Sequence, residues 1–245
     1  MTAIDRYREN LMKTLDRAFA TQEEKLEEAA DRILDTLKAG KMVYTFGTGH
    51  GHLLALEIFY RAGGMARVCP VLDEKLMLHI SAAGSTQEER KEEWVDELLR
   101  RYPMGEGDTL LIFSNSGRNA VPVGLAVEAR KRGTKVIALT SLQHSSSVSS
   151  RSPRGLRLFE AADLVLDNCG IPGDASVEFP DGRRVGPTST AVGAALLQAV
   201  VCRVKEKAME EGIDAEFFVS SNVDGGDAVN DLLVEKYGGV IPGLK

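Results

Sequence analysis

Residues 41–60 read KMVYTFGTGHGHLLALEIFY. A short apolar run, Lys41–Phe46, leads straight into glycines alternating with Thr48, His50 and His52. An apolar run of this length bounded by a Gly-rich turn predicts a strand. The Leu53–Tyr60 stretch beyond it predicts a helix, stopped at Gly63-Gly64.

The same unit recurs downstream. Ala66–Leu72, Asp108–Phe113, Lys135–Leu139 and Leu164–Asn168 read as strands. Leu76–Ala83, Glu88–Arg101, Val121–Arg132, Thr188–Glu211 and Ala228–Tyr237 read as helices. Pro180-Asp181-Gly182 marks a hairpin turn between Val177-Glu178-Phe179 and Arg183-Arg184-Val185. Short apolar strands alternating with helices predict an α/β domain with a parallel sheet.

Upstream, Ile4, Tyr7, Leu11, Leu15 and Phe19, then Leu26, Ile33 and Leu37, recur at helical spacing, and Gly40 closes the stretch. Thr21-Gln22-Glu23-Glu24 fits a capping box, so residues 2–38 form either one long helix or two stacked ones. Such a stripe covers a core or a partner subunit. We expect one domain over 1–245: helices over 1–40, an α/β core over 41–212 and a polar tail over 213–245.

Composition narrows the function. A net charge of −6 over 245 residues argues against nucleic acid as the main partner. No apolar stretch is long enough for a membrane span, and the charged start MTAIDRYREN has no signal-peptide core. Three cysteines at wide spacing make neither a disulfide framework nor a CxxC metal site, so a reducing, cytoplasmic setting is expected.

Ligands of parallel α/β sheets bind beyond the carboxyl ends of the strands. Four loops there share one chemistry: Gly47-Thr48-Gly49-His50-Gly51-His52; Ser114-Asn115-Ser116-Gly117-Arg118-Asn119; Thr140-Ser141; and Gly186-Pro187-Thr188-Ser189-Thr190. Hydroxyls, backbone N–H groups and helix N-termini suit a phosphate. Each loop alone reads as an ordinary cap or turn; together they predict one anion site. Gly47-x-Gly49-x-Gly51 has the wrong last interval for a dinucleotide fingerprint, and no Gly-Lys-Ser/Thr ending marks a P-loop. His50 and His52 find no matching set in His79 and His144, so no metal and no cofactor are expected.

The stretches FGTGHGHLLALEIFYRAGG, FSNSGRNAVP, ADLVLDNCGIPGDA and VGPTSTAVGA resemble the SIS (sugar isomerase) domain family, in particular its phosphoheptose-isomerase-like members. The resemblance implies a three-layer, flavodoxin-like fold with five parallel strands and a helical N-terminal extension, here serving dimerisation. It implies a phosphorylated sugar as ligand. Carried over, phosphate would sit on Ser114, Asn115, Ser116 and Gly117, with Thr140 and Ser141 adjacent. The sugar would meet Gly47, Thr48, Gly49, Gly51, Arg118, Asn119, Thr188, Ser189 and Thr190.

The activity implied is aldose–ketose isomerisation, with Glu57 as base and His50 or His52 for ring opening and carbonyl polarisation. Glu57 also stands four residues before Arg61, where an intrahelical pair is equally available. Alternatives are a non-catalytic phosphosugar sensor, or lyase, etherase or deaminase chemistry in the same site. Family members assemble as dimers or tetramers with sites near subunit interfaces, which the 2–38 stripe and the tail would serve. Two positions depart from the family. Gly51 stands where serine is usual, keeping a backbone donor but no hydroxyl. Ser152 stands where histidine is frequent.

Overall fold

A computed structural model describes residues 1–245. Strand β1 (Val43–Gly47) is buried at every position, as a strand covered on both faces by helices must be. It pairs in parallel with β2 (Val68–Pro70) on one side and β3 (Thr109–Phe113) on the other. Strands β4 (Lys135–Thr140) and β5 (Leu164–Asp167) extend the sheet to the order β2-β1-β3-β4-β5, all parallel. The chain therefore reverses its direction of travel across the sheet between β1 and β3, where a crevice opens at the carboxyl ends.

Alternate strand residues feed two cores. Tyr44, Phe46, Leu110, Ile112, Val136 and Ala138 face α4 (Trp94–Arg101), α5 (Ala120–Lys131), α7 (Leu158–Ala161) and α9 (Gly226–Tyr237). Val43, Leu111, Phe113, Ile137 and Leu139 face α1 (Ala3–Lys38), α2 (Gly51–Glu57) and α8 (Ser189–Glu210). The result is the α/β domain with a parallel sheet expected from the alternation, in the three layers that the family resemblance implies.

The N-terminal stretch is one helix. Its capping box is at Thr2 and Asp5, where Thr2 Oγ1 accepts the Asp5 N–H at 3.2 Å and Asp5 Oδ2 accepts the Thr2 N–H at 2.9 Å. Thr21 caps nothing; its hydroxyl donates to Arg17 O at 2.9 Å inside the helix. The stripe through Ala18, Leu26, Ala29, Ala30 and Ile33 is buried in the chain's own core with α8. The first turns of α1 brace an antiparallel hairpin, β6 (Ala175–Glu178) and β7 (Arg184–Pro187): Tyr7 Oη donates to Pro187 O at 3.0 Å and Asn10 Nδ2 to Ser176 O at 2.8 Å.

Between β2 and β3 the helix expectations need correction. Leu76 ends a single 3₁₀ turn, Glu74–Leu76, and the helix over 76–83 does not form. Helix α3 (Ala82–Glu88) starts instead at Ser81, whose Oγ accepts the Gly84 N–H at 3.1 Å. The expected Glu88–Arg101 helix breaks after Glu88. At Glu89 the backbone turns across to α5, where Glu89 O accepts the Val121 N–H at 3.1 Å. A short helix, α6 (Leu142–Ser146), follows β4, capped by the Ser141 hydroxyl on the His144 N–H at 3.0 Å. In the tail, Asn230 is buried and pinned at both ends of its amide to Val219, so it is a structural residue of this chain. No helix is long and apolar enough to cross a membrane.

Candidate functional site

A cavity of about 660 Å³ lies at the carboxyl ends of β1, β3 and β4. Its walls come from the loops after β1 and β3, the β6–β7 hairpin and the start of α8.

The β1 loop is tight by construction. A Cβ on Gly47 would lie 2.3 Å from the Gly51 carbonyl, and one on Gly51 would lie 2.5 Å from Phe113 O. The Gly51 N–H donates to Thr48 O at 2.9 Å. Gly51 therefore offers no backbone donor to a ligand, contrary to the sequence expectation. Thr48, Gly49, His50 and Gly51 line the cavity, with His50 exposed at its edge. His52 does not line it: the ring is buried and its Nδ1 faces Gly49 O, locking the loop to α2.

The β3 loop supplies Ser114, Asn115, Ser116 and Asn119 to the cavity. The N–H groups of Asn115 and Ser116 make no bond inside the protein, and both remain for a ligand. The Gly117 N–H instead donates to Ser114 Oγ at 3.2 Å. Thr140 and Ser141 are fully buried below the loop. Thr140 Oγ1 donates to Asn115 O at 3.1 Å, and Ser141 Oγ to Gly170 O at 2.6 Å. Asn168 Nδ2 donates to Asn115 Oδ1 at 2.9 Å. Gly117, Thr140 and Ser141 thus hold the cradle in place and do not reach the cavity.

Arg118 turns away, donating to Ser149 O at 2.8 Å and to its hydroxyl at 3.1 Å. Burial, with Arg151 and Arg90 nearby, pushes its pKa down.

At α8, Ser189 and Thr190 line the cavity while Thr188 is buried. The helix N-terminus is already matched by an anion. Asp174 sits in the left-handed region at φ +65° and accepts the N–H groups of Thr188 at 3.1 Å and Ser189 at 3.0 Å. That carboxylate takes two of the N–H donors at this helix end and offsets its positive dipole end.

Glu57 is not in the cavity. Its carboxylate pairs with Arg61 and accepts from Gln198 Nε2 at 3.0 Å on α8. Two carboxylate residues do line the cavity, Asp174 and, from the α3–α4 turn, Glu89. Thr48 Oγ1 donates to its Oε2 at 2.6 Å and Asn119 Nδ2 to its Oε1 at 2.7 Å, so it joins the two ligand loops. Sequence reasoning missed Glu89 because Gln87-Glu88-Glu89-Arg90-Lys91-Glu92-Glu93 reads as a solvated helix face. His144 also lines the cavity. Its Nδ1 is buried without a partner, and burial lowers its pKa, with Asp174 opposing and Arg118 assisting. The imidazole is neutral at pH 7, able both to accept and to donate a proton. Arg184, on the hairpin, contributes the cavity's arginine.

A parallel sheet of this order, with a hydroxyl- and amide-lined cavity at its switch point, defines an α/β small-molecule-binding domain. The SIS domain profile matches residues 6–141. The chain belongs to the SIS domain family. A UPF0309 protein of Shouchella clausii is 40% identical over 239 residues, covering 97% of each chain. Among solved structures, a phosphoheptose isomerase from Francisella tularensis superposes with a TM-score of 0.57 at 14% identity, over 84% of this chain and 100% of the other. The Vibrio vulnificus NanR protein complexed with ManNAc-6P gives 0.57 at 16% identity, over 99% of this chain and 71% of the other. At such identities the likeness is one of fold.

Proposed function

We propose that the chain binds a phosphorylated sugar and isomerises it between aldose and ketose. The phosphate sits on the Ser114–Ser116 stretch, and the sugar extends towards Thr48, His50, Glu89 and His144. The observation that carries the binding half is the pair of unused N–H groups, Asn115 and Ser116, flanked by the Ser114 and Ser116 hydroxyls at a cavity wall. The fold shared with a phosphoheptose isomerase and with NanR complexed with ManNAc-6P supports the ligand class.

Isomerisation moves a proton between neighbouring carbons through a cis-enediol. A carboxylate removes the proton, and a second group polarises the carbonyl. In this reading Glu89 is the base and neutral His144 polarises, with His50 at the ring-opening end. Glu57 has no part in it.

The test is proton exchange at the carbon next to the carbonyl, followed by NMR in D₂O over a panel of aldose and ketose phosphates. Glu89→Gln should slow exchange by about 10²–10⁴-fold while the phosphosugar still binds. Glu57→Gln should exchange at close to the wild-type rate. A second reading, phosphosugar sensing without turnover, draws on the engagement of both Glu89 oxygens by Thr48 and Asn119. It wins if panel members bind and none exchanges.

A further inference from the structure

A second cavity, of about 380 Å³, lies between α1 and the β6–β7 hairpin. Asn10, Lys13 and Arg17, spaced by three and four along α1, form one wall. The hairpin supplies Ser176 and Arg184, and the start of α8 supplies Thr188. The hairpin is thus a partition between this cavity and the larger one, and Arg184 lines both.

Three residues of the lining are cationic and none is a carboxylate, in a chain whose net charge is −6. These cations are not used up. Lys13 pairs with Glu9 at 2.5 Å and Arg184 with Glu178 at 3.0 Å, but all four side chains are exposed and neither glutamate lines the cavity. Such pairs are weakly held, because water and salt screen them. Arg17 has no carboxylate partner and donates to the Cys169 carbonyl. Thr188 adds a neutral donor. The residue is 2% exposed, yet its hydroxyl bonds to nothing in the protein and is not sealed off; its opening is onto this cavity. A hydroxyl on so buried a residue ordinarily has a partner.

Cations on both walls need an occupant with acceptor oxygens on several sides. A tetrahedral phosphate group has them, and the arginine fork matches it. A monocarboxylate presents its two oxygens on one side and meets one wall. We infer that this cavity is a second oxyanion site, taking a phosphate group between Lys13 and Arg17 of α1 and Arg184 of the hairpin. It is separate from the Ser114–Ser116 cradle and does not depend on the phosphosugar reading. Its occupant ties the hairpin to α1, beside the bonds that Tyr7 and Asn10 already make.

The test is an NMR titration of backbone amides in wild type and in the double variant Lys13→Gln, Arg17→Gln. The probes are inorganic phosphate and methyl phosphate, with ionic strength matched by sodium chloride. In wild type the amides of Asn10, Arg17, Ser176 and Arg184 should shift saturably, and the tighter probe identifies the occupant as a free ion or an ester. The double variant should weaken that binding by about tenfold or more, with shifts at Asn115 and Ser116 as in wild type. The inference is overturned if wild type shows no saturable shift at the four amides, if the variant binds equally well, or if sodium chloride alone reproduces the shifts. An absence of shifts at Asn115 and Ser116 alone would count against the cradle and leave this site standing. Both substituted side chains are exposed; if the double variant loses cooperative unfolding, Lys13→Gln is judged on the same shifts.

Discussion

His144 gives the site a pH dependence that belongs to one side chain. Burial, with Arg118 assisting and Asp174 opposing, depresses its pKa in the folded chain. In the unfolded chain the imidazole protonates near its ordinary value of about 6.5. Below that pH the unfolded state binds the extra proton first, so stability falls as pH drops from 6.5 towards the folded value and is level above it. Urea denaturation at pH 7.5 and 5.5 should show wild type losing more stability on acidification than His144→Gln. Equal losses would show that another group titrates. At this scale the site was half legible. Ser114, Asn115, Ser116 and Asn119 were readable because a polar, Gly-containing run directly after a strand is a local signal. At Glu57 the sequence left two readings open, base or intrahelical pair, and helix spacing could not choose between them; the pair with Arg61 is the one that forms. Glu89 reaches the cavity through a bond from Val121, 32 residues on, which no local pattern announces.

The element that decides the site's shape is the β1–α2 turn. Helix α2 starts at Gly51, so close to β3 that a Cβ there would meet Phe113 O at 2.5 Å. Serine at this position adds more than a hydroxyl: it forces the helix start away from the strand end. Gly51→Ser should cost about 1–3 kcal/mol, the range for overpacking a fixed backbone. Chemical denaturation checks this; an unchanged midpoint and slope would show that the turn yields freely. The strands were legible because burial on both faces leaves continuous apolar runs, though β2 shortens to Val68–Pro70. The stretch 74–101 was not. Its charged residues carry no clean period, and its helix breaks are set by Ser81 and by the docking of Glu89 on α5.

Over the whole molecule, the sheet is closed by elements from opposite ends of the chain. Helix α1 joins α8 over one face, and α9 with Ile241 and Leu244 seals the other. The cavity depends on both the sheet and α1, because the first turns of α1 hold the hairpin that carries Asp174's neighbour Ala175 and Arg184 to its wall. The apolar stripe of α1 left its occupant open between the chain's own core and a second subunit. Packing assigns the stretch from Ala18 to Ile33 to the core, while Ile4 and Met12 stay exposed. The two ends of one helix should therefore respond differently to the same truncation. Ile33, 1% exposed, should lose about 2–5 kcal/mol as Ile33→Ala, the cost of a large-to-small change in a packed core. Ile4, 80% exposed, should change by less than about 0.5 kcal/mol as Ile4→Ala. Urea melts at two protein concentrations separate this from a subunit contact. A midpoint that moves with concentration in wild type but not in Ile4→Ala would assign the exposed end to an interface.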